Sequence, residues 1–185
     1  MIEFLKSLQI LSDNELQKIN AVIKTKFLKK NGFLIKEGAV CDEIAWIKTG
    51  ILRSYYSNVE GKETTKCIAF ENELTAAYSS FITQEPTFEN IHALCDSELL
   101  VLKRTDLYAL YAGSAEWQNV GRILTELHYI DLEKRTVSFQ KQTGKERYEA
   151  LAAEHSKYIK FIPLKHLSSF LGITPRHLSR LRNGS

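Results

Sequence analysis

The chain is short of cysteine and has no long apolar run. Its three cysteines, Cys41, Cys67 and Cys95, are an odd number at wide spacing. They form neither a CxxC pair nor a disulfide lattice, which fits a reducing cytoplasm. No apolar stretch approaches the ~20 residues that a membrane-spanning helix needs. The start, Met1-Ile-Glu-Phe-Leu-Lys-Ser7, lacks the apolar core and small-residue cleavage site of a secretory signal. A cytoplasmic protein with no membrane partner is therefore expected. Acidic residues are missing altogether beyond Glu154. Residues 155–185 carry Lys157, Lys160, Lys165, Arg176, Arg180 and Arg182, while all 22 acidic side chains lie before them. The overall charge of +3 thus hides an acidic body and a basic end, a distribution that suits either a polyanion-binding surface or a lysine-decorated solvated tail.

What is present is enough for a folded core: 185 residues, 44% of them hydrophobic. Ser12-Asp-Asn-Glu15 has the form of a capping box, and Leu16, Ile19, Ile23 and Phe27 follow at helical spacing, predicting a helix over 13–27. From Lys30 to Lys103 the texture changes to short β-rich runs separated by turn residues. The runs are 33–35, 44–47, 51–56, 64–70, 91–94 and 98–102, the pattern of a β-sandwich or barrel. The stretch 72–88 interrupts it, with a helical turn predicted at 76–81. Residues 115–142 contain no proline and no glycine cluster. A helix of that length spans ~42 Å at ~1.5 Å per residue, too long for the barrel alone to bury. Trp117, Val120, Leu124 and Leu127 trace one seam, and Ile123, Leu127, Ile130 and Val137 a neighbouring stripe. Two stripes imply two partners, the barrel and a second subunit, with the first seam as the predicted dimer contact. Thr143-Gly-Lys-Glu146 is a second capping box, so a boundary is placed at Gln142–Thr143 with Gly144 as a plausible hinge.

The densest signal runs from Leu164 to Leu181. Leu164, Leu167 and Leu171 share one helical face, and Gly172 stands where a helix stops in a left-handed conformation. Thr174 is then a good N-cap and Pro175 a good first helical residue. Leu178 and Leu181 set a second apolar face against the first. The result is a helix, a short turn and a second helix at an angle. The second helix leaves Arg176, His177, Ser179, Arg180 and Arg182 outward. Basic residues at a helix start oppose the macrodipole. They make sense if the helix enters a major groove and its arginines meet guanine edges and phosphates. A purely structural hairpin would account for the leucines but not for the acid-free polar face.

With β-roll, long helix and helix-turn-helix in this order, the chain resembles the Crp/Fnr superfamily of bacterial transcription regulators over nearly its whole length. Asn31-Gly-Phe-Leu-Ile-Lys-Glu-Gly38 and Ile47-Lys-Thr-Gly50-Ile-Leu-Arg53 resemble its sensor turns; Glu146-Arg-Tyr-Glu-Ala-Leu151 and Leu171-Gly-Ile-Thr-Pro-Arg-His-Leu-Ser-Arg180 resemble its DNA-binding domain. The resemblance implies an α+β chain. Residues 1–114 would form a double-stranded β-helix of the jelly-roll, cyclic-nucleotide-binding-like kind, 115–142 a dimerisation helix, and 143–185 a helix-turn-helix domain. It implies a homodimer on double-stranded DNA, with base-contact roles falling on Thr174, Arg176, His177 and Arg180. Ser179, Arg182 and Lys165 complete the expected DNA-binding set. The barrel could also dock RNA polymerase.

The departures are informative too. Members that bind cyclic AMP use a Gly-Glu pair for the ribose and an Arg-Ser pair for the phosphate. Here Ala76-Ala77 and Thr87-Phe88 stand in those regions, with Glu89 beside the second. A cyclic phosphate needs a cation or converging N–H donors, and Glu89 repels it, so no cyclic AMP binding is expected. Iron–sulfur members carry clustered N-terminal cysteines, whereas here the first is the isolated Cys41, so no metal or cofactor is expected. Arg53, Tyr55, Glu73, Tyr78, Phe88 and His92 are the candidate effector pocket, suited to an acidic organic ligand, or else they are core, with Arg53 paired to Glu73 or Glu63. Two other functions compete: a ligand-independent scaffold or docking dimer, and a cupin-type metalloenzyme. The latter needs a His-x-His with a Glu and a further His, whereas the barrel region holds only His92.

Overall fold

The computed structural model describes residues 1–183, except for the side chains of Lys157 and Tyr158. Two short helices, α1 (Ile2–Ser7) and α2 (Asp13–Val22), precede eight strands. These are β1 (Lys24–Leu28), β2 (Phe33–Ile35), β3 (Glu43–Thr49), β4 (Leu52–Ser57), β5 (Glu63–Ala69), β6 (Leu74–Thr75), β7 (Asn90–Ala93) and β8 (Ser97–Lys103). Helix α3 (Tyr78–Thr83) lies between β6 and β7. The strands form two antiparallel four-stranded sheets, ordered β1-β8-β3-β6 and β2-β7-β4-β5. They close on an aliphatic core that includes Ala45, Ile47, Leu52, Ala69, Ile91, Ala93, Leu99 and Val101. This is the jelly-roll type of β-roll that the alternation predicts.

The expected helix over 13–27 is cut short. It ends at Val22, and Lys24-Thr-Lys-Phe-Leu28 pairs with β8 instead. Ile23 and Phe27 continue the helical spacing by coincidence, and Phe27 is exposed. The expected capping box at Ser12 does not form. Ser12 makes no side-chain cap, and its N–H donates to Glu116 Oε2 at 2.7 Å. Its counterpart does form: Thr143 N–H donates to Glu146 Oε2 at 2.7 Å, and Glu146 N–H to Thr143 Oγ1 at 3.2 Å.

After α4 (Arg104–Gly113), α5 runs for 27 residues, Ala115–Lys141. Of the seam predicted for the dimer contact, all but Leu127 packs at home. Trp117 and Val120 are buried in the roll's core, and Leu124 packs against it. The neighbouring stripe is the unpartnered one: Leu127, Ile130 and Val137 are 45%, 41% and 39% exposed. The reason is steric. The start of α5 packs on the roll, and the large Trp117 ring and Val120 enter its core there.

Helices α6 (Gly144–Ile159), α7 (Leu164–Leu171) and α8 (Pro175–Arg182) complete the chain. Their core is not private. Ile159, Ile162, Leu167, Leu171 and Leu178 form one cluster with Ile51, Ile68, Phe70 and Leu94 of the roll. The C-terminal helices therefore sit on the outer face of sheet β2-β7-β4-β5.

Candidate nucleic-acid interface and the two faces of the roll

The α7–α8 corner is built by local chemistry. Gly172 closes α7 at φ +65, ψ 34, where its N–H donates to the carbonyl of Ser169 and a β-branched residue would be strained. Thr174 Oγ1 accepts the N–H of His177 at 3.1 Å, and Pro175 occupies the first turn of α8. Leu178 is fully buried beneath. On the outer side Thr174, Arg176, Ser179 and Arg180 are exposed and His177 is half-buried; Lys165, on α7, is exposed as well. Arg182 is placed differently. It is half-buried, and its Nη2 donates to the carbonyls of Ile159 and Ile162 at 2.8 and 3.2 Å, tying α8 to the end of α6. Its guanidinium is engaged inward and is not presented with the others.

Of the six residues expected to line an effector pocket, Arg53, Tyr55 and His92 come together, but on the outer face of the roll, and Glu73, Tyr78 and Phe88 lie apart from them. Register explains this: Arg53 pairs with Ile68 and His92, whereas Leu52 pairs with Ala69 and Ala93. Leu52 faces the core, so Arg53 and His92 face outward, beneath α7. Arg53 is 1% exposed; its Nε donates to Thr65 Oγ1 at 2.9 Å and its Nη1 to Glu63 Oε2 at 2.7 Å. Its guanidinium stacks over Tyr55 at 4.2 Å. Of the two ion-pair partners foreseen for it, Glu63 is the one used. Glu73 accepts the Phe70 N–H and faces His155, which stacks on Phe70 with ring centres 4.0 Å apart. Tyr78 bonds through its hydroxyl to Thr125 of α5 at 2.9 Å. Phe88 is 60% exposed, beside Tyr56.

The outer-face cluster continues into α7. His166 stands edge-on to His92, ring centres 6.0 Å apart, and Ser169 Oγ accepts the Thr65 N–H at 2.9 Å. His92 Nε2 and His166 Nδ1 are buried without a hydrogen-bond partner. Burial, aided by the Arg53 charge, pushes the His166 pKa down to about 4, and His92 is lowered by the same two causes. Burial raises the Glu63 carboxyl, but the hydrogen bond and charge of Arg53 outweigh it and leave the group below its ordinary value. Sequence reasoning missed His166 and Thr65, because nothing local says that α7 will cover this strand.

The inner face carries one polar group of consequence. Glu89 is 2% exposed and accepts from Ser54 Oγ at 2.5 Å and Lys66 Nζ at 2.6 Å. Lys66 reaches it because β5 has one extra residue there: Ser54 pairs with Cys67 and Tyr55 with Thr65, leaving Lys66 without a partner across the ladder. Among the described residues no group of three metal-ligating side chains converges. One hollow of about 420 Å³ is lined by residues of β2, β3 and their connection together with Lys26 of β1 and Lys103 of β8; another of about 510 Å³ is lined by Thr125, Glu126, Tyr129 and Ile130 on the bare side of α5.

The chain is thus a β-roll closed by a long helix and overlain by an angled pair of short helices. Residues 25–114 match the family described as the cyclic nucleotide-binding domain. No curated protein matches the chain in sequence. Among solved structures it is similar to FixK2 from Bradyrhizobium japonicum, with 15% identity and a TM-score of 0.75 over 88% of this chain and 84% of that one. It is also similar to a transcriptional regulator of the Crp/Fnr family from Eubacterium rectale: 20% identity, TM-score 0.70, 95% and 84% covered. The Thermus thermophilus catabolite activator protein matches with 20% identity and a TM-score of 0.56 over 94% and 83%. The chain has the fold of the Crp/Fnr transcription regulators, and the resemblance drawn from its motifs stands. No helix of the described residues is long and apolar enough to cross a membrane.

Proposed function

We propose that the chain is a homodimeric, sequence-specific DNA-binding transcription regulator of the Crp/Fnr type, non-enzymatic and cytoplasmic. In it 1–114 act as sensor roll, 115–142 as dimerisation helix and 143–185 as DNA-binding unit. The observation that carries this reading is the outward face of α8. Arg176, Ser179 and Arg180 are exposed on a helix whose start is capped by Thr174 and whose base, Leu178, is buried. A helix held so firmly from behind, with arginines in front, is suited to a major groove and its phosphates. Arg176 and Arg180 read base edges, Thr174, His177 and Ser179 contact the first turns' surroundings, and Lys165 meets phosphate. Arg182 holds the unit together.

The stripe Ile123, Leu127, Ile130 and Val137 supplies the second half of the reading. It recurs at heptad spacing on the bare side of α5, and a second copy of the same helix covers it best. Two recognition helices must sit ~34 Å apart to meet successive major grooves. A mobility-shift assay on a two-fold-symmetric duplex, selected from random sequence, tests both halves. Arg180→Ala lowers affinity about 10- to 100-fold at the preferred site, the ~1–3 kcal/mol of a base contact. Leu127→Glu yields a monomer in sedimentation. Equal binding by wild type and Arg180→Ala would remove that residue from the readout.

A ligand-independent dimer, with the roll as scaffold or docking surface for a protein such as RNA polymerase, is favoured over a cyclic AMP sensor by one observation. Glu89 already occupies Lys66 and Ser54, so neither of these donors is left for a cyclic phosphate on the inner face.

A further inference from the structure

The junction between α5 and the C-terminal unit reads in sequence as a hinge, with Gly144 at its centre. In the structure it is fastened. The carbonyl-bearing ends of α5 and α7 converge there, and the two helix ends each present a partial negative charge. Arg147 serves both and Arg135 serves the end of α7. Arg147, on the first turn of α6, donates through Nε to the Leu171 carbonyl at 2.9 Å, and through Nη1 to the Gln142 carbonyl at 2.6 Å and the Ser138 carbonyl at 3.4 Å. Arg135, on α5, donates to the Phe170 carbonyl at 3.0 Å. The Phe139 ring lies between the two guanidiniums, 4.9 Å from that of Arg135 and 4.6 Å from that of Arg147, while Arg135 also stacks over Phe170 at 4.1 Å.

The same ring rests on the turn before α8. A Cβ at Gly172 would stand 2.5 Å from Phe139 Cε1, so turn and ring are in closest contact. The end of α5, the start of α6 and the α7–α8 turn are therefore one block, with the last carbonyls of two helices shared by two forked donors. A lysine could not replace either fork, since it offers a point charge instead of a planar set of donors. The roll holds α7 from its other side through Ser169 and the outer-face cluster. That contact lies within one subunit. The clamp ties α7 directly to the far end of the helix that would face the second copy.

We propose that Arg135, Phe139 and Arg147 are positioning residues: they fix the angle between the dimer helix and α8 and so set the half-site spacing that the dimer accepts. This inference rests on the DNA-binding reading above. None of the three is assigned a contact with DNA.

The test compares a symmetric duplex at its selected spacing with duplexes whose half-sites are one base pair closer or farther, and with a single half-site. The wild type prefers the selected spacing by about tenfold or more. In Arg147→Ala that preference falls to about twofold, while single-half-site affinity stays within about twofold, because α8 itself is untouched. A merely structural loss would weaken all duplexes alike. An unaltered spacing profile in Arg147→Ala overturns the proposal. Phe139→Leu, which keeps apolar volume over Gly172 and removes the ring, decides the matter if Arg147→Ala fails to fold: a broadened profile supports the clamp, a sharp one overturns it. Amide hydrogen exchange at 143–147 and 171–174, measured without DNA, separates the two claims. If the wild type binds no duplex, the DNA reading fails. The clamp then stands only if Phe139→Leu still speeds exchange at both segments, and falls if it does not.

Discussion

Leu52 and Arg53 are neighbours on one strand and live in different chemistries. Leu52 enters an aliphatic core with Ala69, Ile91 and Ala93, where nothing polar has to be satisfied. Arg53 is as deeply buried, yet it lies between the roll and α7 in a cluster with Glu63, Thr65, His92 and His166. The inner face is closed and self-sufficient. The outer face is complete only when the C-terminal helices cover it. The difference teaches where such a molecule can be sensitive. A filled core tolerates little and reports little, whereas a polar seam between two packed units responds to charge.

Replacing the two neighbours should separate these roles. Leu52→Ala, the larger effect, costs about 3 kcal/mol of folding stability in urea unfolding, spread over the whole roll. Arg53→Ala costs about 2 kcal/mol, since Glu63 keeps some access to water, and it speeds hydrogen exchange selectively at 159–171. If both variants loosen the same amides equally, the two faces are one cooperative unit and the contrast is broken.

Acid sharpens the same comparison. Arg53, Glu63 and His92 of the roll face His166, and Lys165 stands beside it on α7. The His166 pKa is about 4 in the folded chain against an ordinary 6.5. The unfolded chain therefore binds a proton between these values and the folded chain does not. The stability that neutral His166 maintains is fully present above pH 6.5, is lost as pH falls towards 4, and changes no further below it. Subtracting the urea midpoints of His166→Gln from those of the wild type isolates this window; identical slopes across it would show that the imidazole is not buried in the seam. The smallest expected effect belongs to the inner face. Cyclic AMP at micromolar concentration gives no binding heat in calorimetry, and measurable binding would mean that Glu89 does not hold Lys66 and Ser54 as described.

Much of this architecture is legible in the chain because its signals are local. Six strands, the α7–α8 corner and the cap at Thr143 follow from alternation, glycine and capping residues. The reading fails where distant elements decide. Lys24–Leu28 carries a helical spacing that pairing with β8 overrides. Trp117 and Val120 are indistinguishable by spacing from Leu127 and Ile130, and only the position of the roll tells which stripe is already covered. The candidate site divides in the same way. Thr174, Arg176 and Arg180 are read from one short helix and its cap. The expected pocket needed the facing of Arg53, Glu73, Tyr78, Phe88 and His92, which is set by ladder register and by α7 a hundred residues later.

The unpaired Lys66 in β5 has a consequence for how the gene can change. It is the step that lets one strand offer Thr65 and Ile68 to the helices above and Lys66 to Glu89 below. Strand side chains alternate strictly, so losing or gaining one codon there would rotate everything on one side of the deletion to the opposite surface. The nearby tip at 58–62 has no such duty and can lengthen or shorten freely. Length variation among descendants of this chain should therefore collect at the tip and spare the few positions after it.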